Sequence, residues 1–323
     1  MNKELLKQVG LEHYKHQDFQ PEKVILRKGE EATIWVHQHT GHAVLDSESW
    51  VKEDYYSEDY RNEFSGNSSG KKIESEKHLE MYRDLNRRQF EQFKDKIDKD
   101  SKFLEVGSSF GGIIDNVLCS GVEVCHTVEP NLSDANFLKN KYPDIEIYND
   151  TLEDTDLKLD YYDIVVSFEV LEHIVNPRLF LEKIKKSLKL RGIIHLEVPN
   201  HRDVLLSCYN KDTTYNKFFY HKAHIHYFTK ESLYDLLSSC GFEGSISSFL
   251  MYPFFNHVYW HFNKGPQLTG NSALNLPIPT ENRSVVEEEI NNFYKQAEKE
   301  YEKLINKHVV GDCLIYQGNK IND

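Results

Sequence analysis

In the middle third of the chain, short apolar runs alternate with longer stretches whose apolar residues return every three or four positions. That is the pattern of strands alternating with helices. Runs at 102–106, 123–129, 145–148, 162–168 and 192–198 read as strands. An amphipathic segment at 112–121 and a helix opening at Pro177 separate members of the set. The run at 162–168 is almost continuously apolar, as a parallel strand covered on both faces requires. The order predicts an α/β fold with an open, doubly wound parallel sheet.

The first of these strands breaks abruptly. Gly107 and Gly111 bracket Ser108 and Ser109, so that backbone amides can approach a ligand without interference from a Cβ. Glu105 falls at the carboxyl end of the strand, where open parallel sheets place their ligands. The second run ends in Glu129, about 20 residues past the first glycine, a spacing that suits a carboxylate gripping two ribose hydroxyls. The third runs into Asp150, within reach of an adenine amino group, and Thr151; the fourth ends at Phe168. A nicotinamide-binding domain also wants glycines and an acid at these places, but Ser109 breaks its G-x-G-x-x-G fingerprint.

The residues EVGSSFG at 105–111, Glu129-Pro130, EVLEH at 169–173 and LRGIIHLEVPN at 190–200 together resemble the class I S-adenosylmethionine-dependent methyltransferases. The resemblance continues through AHIHYFT at 223–229 and the segment 231–242, and covers roughly residues 100–250. It implies a seven-stranded Rossmann-like sheet whose last strand, at 312–318, is antiparallel. It also implies S-adenosylmethionine as methyl donor and S-adenosylhomocysteine as product, held by Glu105, Gly107, Ser109, Gly111, Glu129, Asp150, Thr151 and Phe168. Where this chain has Ser109, the family more often has glycine; serine is small enough for binding to survive.

The rest of the chain divides into an accessory region at 1–74, the core at 75–251, an insertion at 252–308 and a closing strand at 309–323. The first region holds short β-like runs at 23–26, 33–37 and 42–45, then an acidic, tyrosine-rich stretch at 51–64 and a linker at 65–71. The insertion opens with MYPFFNHVYWHF, read as core or a dimer contact, with part of the acceptor pocket as the alternative. A polar loop at 265–280 and a long helix at 281–307 follow. The helix's apolar positions Val286, Ile290, Phe293, Ala297, Tyr301 and Leu304 are expected to pack as one face, and a homodimer is one way to cover it.

A formal net charge of −13 argues against nucleic-acid binding, which needs clustered cations. Arg83, Arg87 and Arg88 fall on a helix at 75–97 that also carries glutamates, and read as a solvated, ion-paired face; a phosphate clamp is the alternative. Five cysteines without a C-x-x-C pair indicate neither a disulfide framework nor a zinc ribbon, and no metal site is read from the sequence. With no signal peptide and no membrane-length apolar run, the expectation is a cytoplasmic protein that does not enter membranes.

Methyl transfer is an in-line displacement at an activated carbon, so positioning supplies much of the barrier reduction, while an alcohol acceptor also gains from a base. His173, after the fourth strand, and His224 are the candidate bases; Glu172, Asn200, His226 and Tyr227 are placed with the acceptor. The resemblance is nearest the sugar-modifying bacterial branch. Its keto-sugar C-methyltransferases carry N-terminal cysteines and a Glu-His pair where this chain has Ala223-His224, so the departures favour O-methylation. The expected acceptor is a hydroxyl of a sugar or nucleotide-linked sugar in surface (capsule) polysaccharide biosynthesis. A quinone-ring or other small-molecule O-methyltransferase and a non-catalytic nucleotide-binding module are the alternatives.

Overall fold

A computed structural model describes residues 1–51, 75–208, 214–267, 273–274 and 284–322. The tyrosine-rich stretch from 52 onward, the linker at 65–71 and most of the polar loop at 265–280 lie outside the described residues.

The larger sheet has seven strands. Its parallel part is β4 (Lys102–Val106), β5 (Val124–Val128), β6 (Glu146–Tyr148), β7 (Tyr162–Phe168) and β8 (Leu188–Pro199). Strand β10 (Phe242–Phe249) pairs antiparallel with β11 (Cys313–Lys320), which pairs antiparallel with β8, giving the order β10-β11-β8-β7-β4-β5-β6. The sheet expected from the sequence, Rossmann-like with an antiparallel last strand, is therefore observed. The chain winds outward from β4 in both directions, so the carboxyl ends of β4 and β7 open the crevice typical of a topological switch point.

Local chemistry explains the connecting helices. Pro177 opens helix Pro177–Ser187 at a position whose amide needs no intrahelical partner, and the Asn176 side chain caps it by accepting from the Leu179 amide. Thr229 and Ser232 form a reciprocal capping box on helix Lys230–Ser239. One face of the sheet packs Leu104, Val165, Phe180, Ile184 and Leu196 into a core; the other packs Phe93, Phe103, Ile114 and Ile164.

The N-terminal runs form β1 (Phe19–Ile25), β2 (Glu31–His37) and β3 (Ala43–Leu45), an antiparallel sheet. Its fourth strand is β9 (His226–Tyr227), from the segment between β8 and β10, in register Ala43 with Tyr227 and Val44 with His226. Behind this sheet Ile34, Leu45, Tyr215, Phe219, Trp260 and Ile305 make a separate core, so the aromatic segment, helix Phe254–Asn263, serves as core.

Two helices differ from expectation. The helix predicted at 75–97 ends at Phe90 and gives way to turns before Lys94–Lys96. In helix Val285–His308 the predicted apolar face packs only in part: Val286, Ile290, Phe293 and Leu304 are exposed, while Tyr301 of the same face is packed. The helix docks through Glu298, whose carboxylate accepts from the Phe254 amide, Tyr301 against His257, and buried Asn291 and Ile305. A polar end-cap and a tyrosine hydroxyl contact outrank the rest of the apolar stripe that periodicity alone selects.

Candidate active site

A cavity of about 680 Å³ opens where β4, β5 and β7 end. Glu105, Gly107, Ser109, Glu129, Asp150, Thr151, Phe168, His173 and His224 all line it. At its floor the Gly107 amide donates to the Val128 carbonyl at 2.8 Å, extending the β4–β5 ladder one residue past the strand. Gly107 has φ +81°, and a Cβ there would lie 2.4 Å from Val170 Cγ2, so glycine is required twice over. Ser109 is also left-handed, at φ +52°, which is why glycine suits the position; its amide donates to Glu129 Oε2 at 2.7 Å and holds the turn. The other Glu129 oxygen accepts from the Asn131 amide at 2.9 Å.

Gly111 does not line the cavity. A Cβ there would meet Leu138 and Tyr142, at 2.7 and 2.9 Å, so its role is close packing of two helices behind the loop. Ser108, which the sequence reading passed over as small, lines the cavity with its hydroxyl buried and without a hydrogen-bond partner among the described residues; one Glu105 carboxylate oxygen is likewise unpartnered. Burial, followed by the charge of Glu129, pushes the Glu105 carboxyl far above the usual carboxylate range. Asp150 and Thr151 stand exposed at the rim.

The opposite wall carries the histidines. His173 and His224 meet edge to face with ring centroids 4.7 Å apart. The His173 Nδ1–H donates to the Ala223 carbonyl at 2.9 Å; a carbonyl only accepts, so the tautomer is fixed and Nε2 carries the lone pair. Burial lowers His173 to about 4 and lowers His224 further, so both rings are neutral near pH 7. Glu172 sits behind them, 1% exposed, with both carboxylate oxygens unpartnered among the described residues and Oε1 3.5 Å from His173 Nε2. Burial raises its carboxyl to about 8.

All four residues placed with the acceptor lie outside the cavity lining, Glu172 just behind the histidines and the other three farther off. Asn200 donates to the Val309 and Gly311 carbonyls and braces the end of β8 against the approach to β11. His226 bonds to His42 at 3.1 Å and to the Val175 carbonyl, and the Tyr227 hydroxyl bonds with the His221 backbone. They join the two sheets. Conversely, the cavity gains residues that sequence spacing missed, Arg27 from the β1–β2 turn and Tyr82, Asn86 and Gln89 from helix Ser75–Phe90, together with His221 and, from the aromatic segment, Met251 and Tyr252 after β10. Nothing local marks the missed four, because they come from segments far apart in the chain.

Of the three helix arginines, Arg83 and Arg87 follow the solvated, ion-paired reading and Arg88 does not. Arg83 and Arg87 pair with Glu80 and Asp84 at the surface, and Arg88 donates to the Leu250 and Met251 carbonyls at 2.6 and 2.8 Å, positioning the segment that carries Tyr252.

The floor fits an S-adenosyl donor on its own chemistry. Gly107 adds no side chain of its own to the turn, and the unpartnered Ser108 hydroxyl and Glu105 oxygen require polar company. Each Glu129 oxygen holds one amide, and a carboxylate has about four acceptor sites in all.

Among solved structures the chain resembles a methyltransferase from Thermotoga maritima described as a possible histamine N-methyltransferase, at 16% identity, 76% coverage of this chain, 93% of that one and a TM-score of 0.48. It also resembles one from Archaeoglobus fulgidus, at 17% identity, 74% and 94% coverage and a TM-score of 0.49. No curated protein matches it by sequence. No helix among the described residues is long and apolar enough to cross a membrane. The model of a family described as a methyltransferase domain matches residues 78–245, just over half of the chain and the whole of the cavity floor. The chain therefore belongs to that family and is an S-adenosylmethionine-dependent methyltransferase.

Proposed function

We propose that this enzyme methylates an oxygen of a small polar acceptor, a hydroxyl of a sugar or nucleotide-linked sugar, held between the His173–His224 wall and the N-terminal hairpin. The observation that carries the reading is that wall: two neutral imidazoles, one with a fixed tautomer, facing a cavity whose floor fits the donor. Bound on the floor, S-adenosylmethionine supplies a methyl group on a positive sulfur, already activated for displacement.

The chain's own residues do the rest. Glu129 takes the ribose hydroxyls and Asp150 the adenine edge, while Phe168 packs below the loop. Tyr82, Met251 and Tyr252 line the side of the cavity and limit water at the reacting carbon. A histidine lone pair receives the hydroxyl proton as the new bond forms. Arg27 supports a phosphorylated acceptor: its Nε–H donates to the Phe218 carbonyl at 2.8 Å and its guanidinium lies 4.1 Å over the Phe218 ring, which holds a charged fork at the cavity mouth. A charged fork at the mouth favours a phosphorylated acceptor over a quinone with a long apolar tail. Assembly of surface polysaccharide is a process that would use such a product.

Calorimetric titration with S-adenosylhomocysteine, followed by a mass-shift screen of nucleotide-linked sugars, tests the reading. A gain of one methyl group on a sugar nucleotide supports it. Donor binding with product only on quinones or amines sinks the acceptor assignment.

A further inference from the structure

We infer that Glu172, His173 and His224 form a binding site for one divalent transition-metal ion at the acceptor end of the cavity. The inference rests on the proposed oxygen acceptor for its purpose, and on geometry alone for its existence. One donor atom from each of the three residues lies within 4.8 Å of the other two. Two ligands about 2.1 Å from a common ion at tetrahedral to octahedral angles stand about 3.0 to 3.4 Å apart; Glu172 Oε1 and His173 Nε2 are 3.5 Å apart.

The orientation of the groups is the second observation. The hydrogen bond from His173 Nδ1 to Ala223 aims Nε2 toward the Glu172 carboxyl. The same bond to a backbone carbonyl is the support that metal-ligating histidines usually have. Glu172 is 99% buried, and neither of its oxygens has a partner among the described residues; His224 Nδ1 is also buried and unpartnered. A buried carboxyl group with no partner is costly, and a cation between it and the His224 Nδ1 lone pair satisfies both at once.

A second group of possible ligands, Glu169, Glu197 and Cys313, does not carry the same argument. Glu197 already accepts from Gln89 at 2.8 Å, and Glu169 is bonded to Cys313. The two-imidazole, one-carboxylate set suits Zn²⁺, Mn²⁺, Fe²⁺ or Co²⁺ better than Mg²⁺ or Ca²⁺, which prefer all-oxygen shells. Three protein ligands leave positions open, as catalytic rather than structural sites do. His173 and His224 line the cavity, so an open position faces the acceptor. With the ion in place His173 and His224 act as its ligands instead of as the base, and an acceptor hydroxyl bound there would lose its proton to water; its oxygen would then form the bond to the methyl carbon while the carbon–sulfur pair returns to sulfur. The ion is neither oxidised nor reduced.

The test uses whole protein stripped with a chelator and titrated with Co²⁺ and Mn²⁺ in the absence of acceptor. The expected result is one ion per chain with a visible Co²⁺ absorption band, its affinity falling at least tenfold in Glu172→Gln and in His224→Asn. S-adenosylhomocysteine titration of the same samples shows which variants keep the fold; if one does not, the other carries the comparison. No stoichiometric ion in the wild-type protein, or unchanged affinity in both folded variants, overturns the site and leaves the acceptor proposal standing. A stoichiometric ion lost in the variants supports the site even where the sugar screen yields no methylated product.

Discussion

The two walls of the cavity are built in opposite ways. The donor floor comes from one continuous piece of chain, 105–112, braced by Glu129 from the next strand, and it works mainly through backbone amides and missing Cβ atoms. The acceptor wall draws on Arg27, Tyr82, His173, His224 and Tyr252, from five separated segments, and works through side chains. Floors made of backbone are intolerant of any added atom, whereas walls made of side chains can be altered one contact at a time without losing the cavity.

That contrast orders the expected effects. Gly107→Arg is the most severe: it puts a long side chain at φ +81° against Val170 and abolishes S-adenosylhomocysteine binding in a titration of the folded variant. His224→Ala lowers turnover by about 10²–10⁴ while donor binding stays within threefold of wild type, by about the same titration. A parallel loss of donor binding in His224→Ala would break the division between the walls. Glu129→Ala removes an acceptor of two backbone amides as well as the proposed ribose contact, and weakens donor binding by about 10- to 100-fold, in keeping with charged hydrogen bonds of about 1.5–3 kcal/mol. Arg27→Met raises KM for a phosphorylated acceptor by about tenfold and leaves donor affinity unchanged; equal KM values for phosphorylated and unphosphorylated acceptors would remove the arginine from recognition.

The smallest effect lies away from both walls and concerns stability. His257 is buried 2.8 Å from Asp312; burial opposes its charged form, but the Asp312 carboxylate outweighs that and holds the histidine above its ordinary value. A histidine with a raised folded pKa stabilises the fold fully below about pH 6.5, the unfolded value, and the contribution fades as pH rises through the folded value. Thermal melts of wild type and His257→Gln should therefore differ more at pH 6 than at pH 8.5, and a gap that widens with pH contradicts this account.

The sequence reading succeeded where the signal is local. Strands β4, β5 and β7 begin and end within a residue or so of their expected limits, because an apolar run bounded by glycine or a charged residue is recognisable within a few positions. Reading Gly111 as a cofactor contact did not anticipate its packing against Leu138 and Tyr142, since a glycine required by a neighbour looks the same in sequence as one required by a ligand. Asn200, His226 and Tyr227 were assigned by proximity along the chain to the acceptor segment. Their side chains instead hold the N-terminal sheet and the ends of β8 and β11 together. For helix Val285–His308, the contacts of Glu298 with Phe254 and of Tyr301 with His257 kept Tyr301 of the predicted face packed and left most of its apolar positions exposed.

By itself, then, the sequence determined the parallel sheet, the glycine turn and the acid that braces it, because each depends on residues within about one strand-turn-helix unit of one another. The tertiary structure decided which distant residues line the cavity with the glycine turn, that β9 completes the N-terminal sheet, and that Glu172, His173 and His224 converge. Those outcomes depend on packing between elements up to two hundred positions apart, and the buried carboxylate left without a donor is visible only once its surroundings are in place.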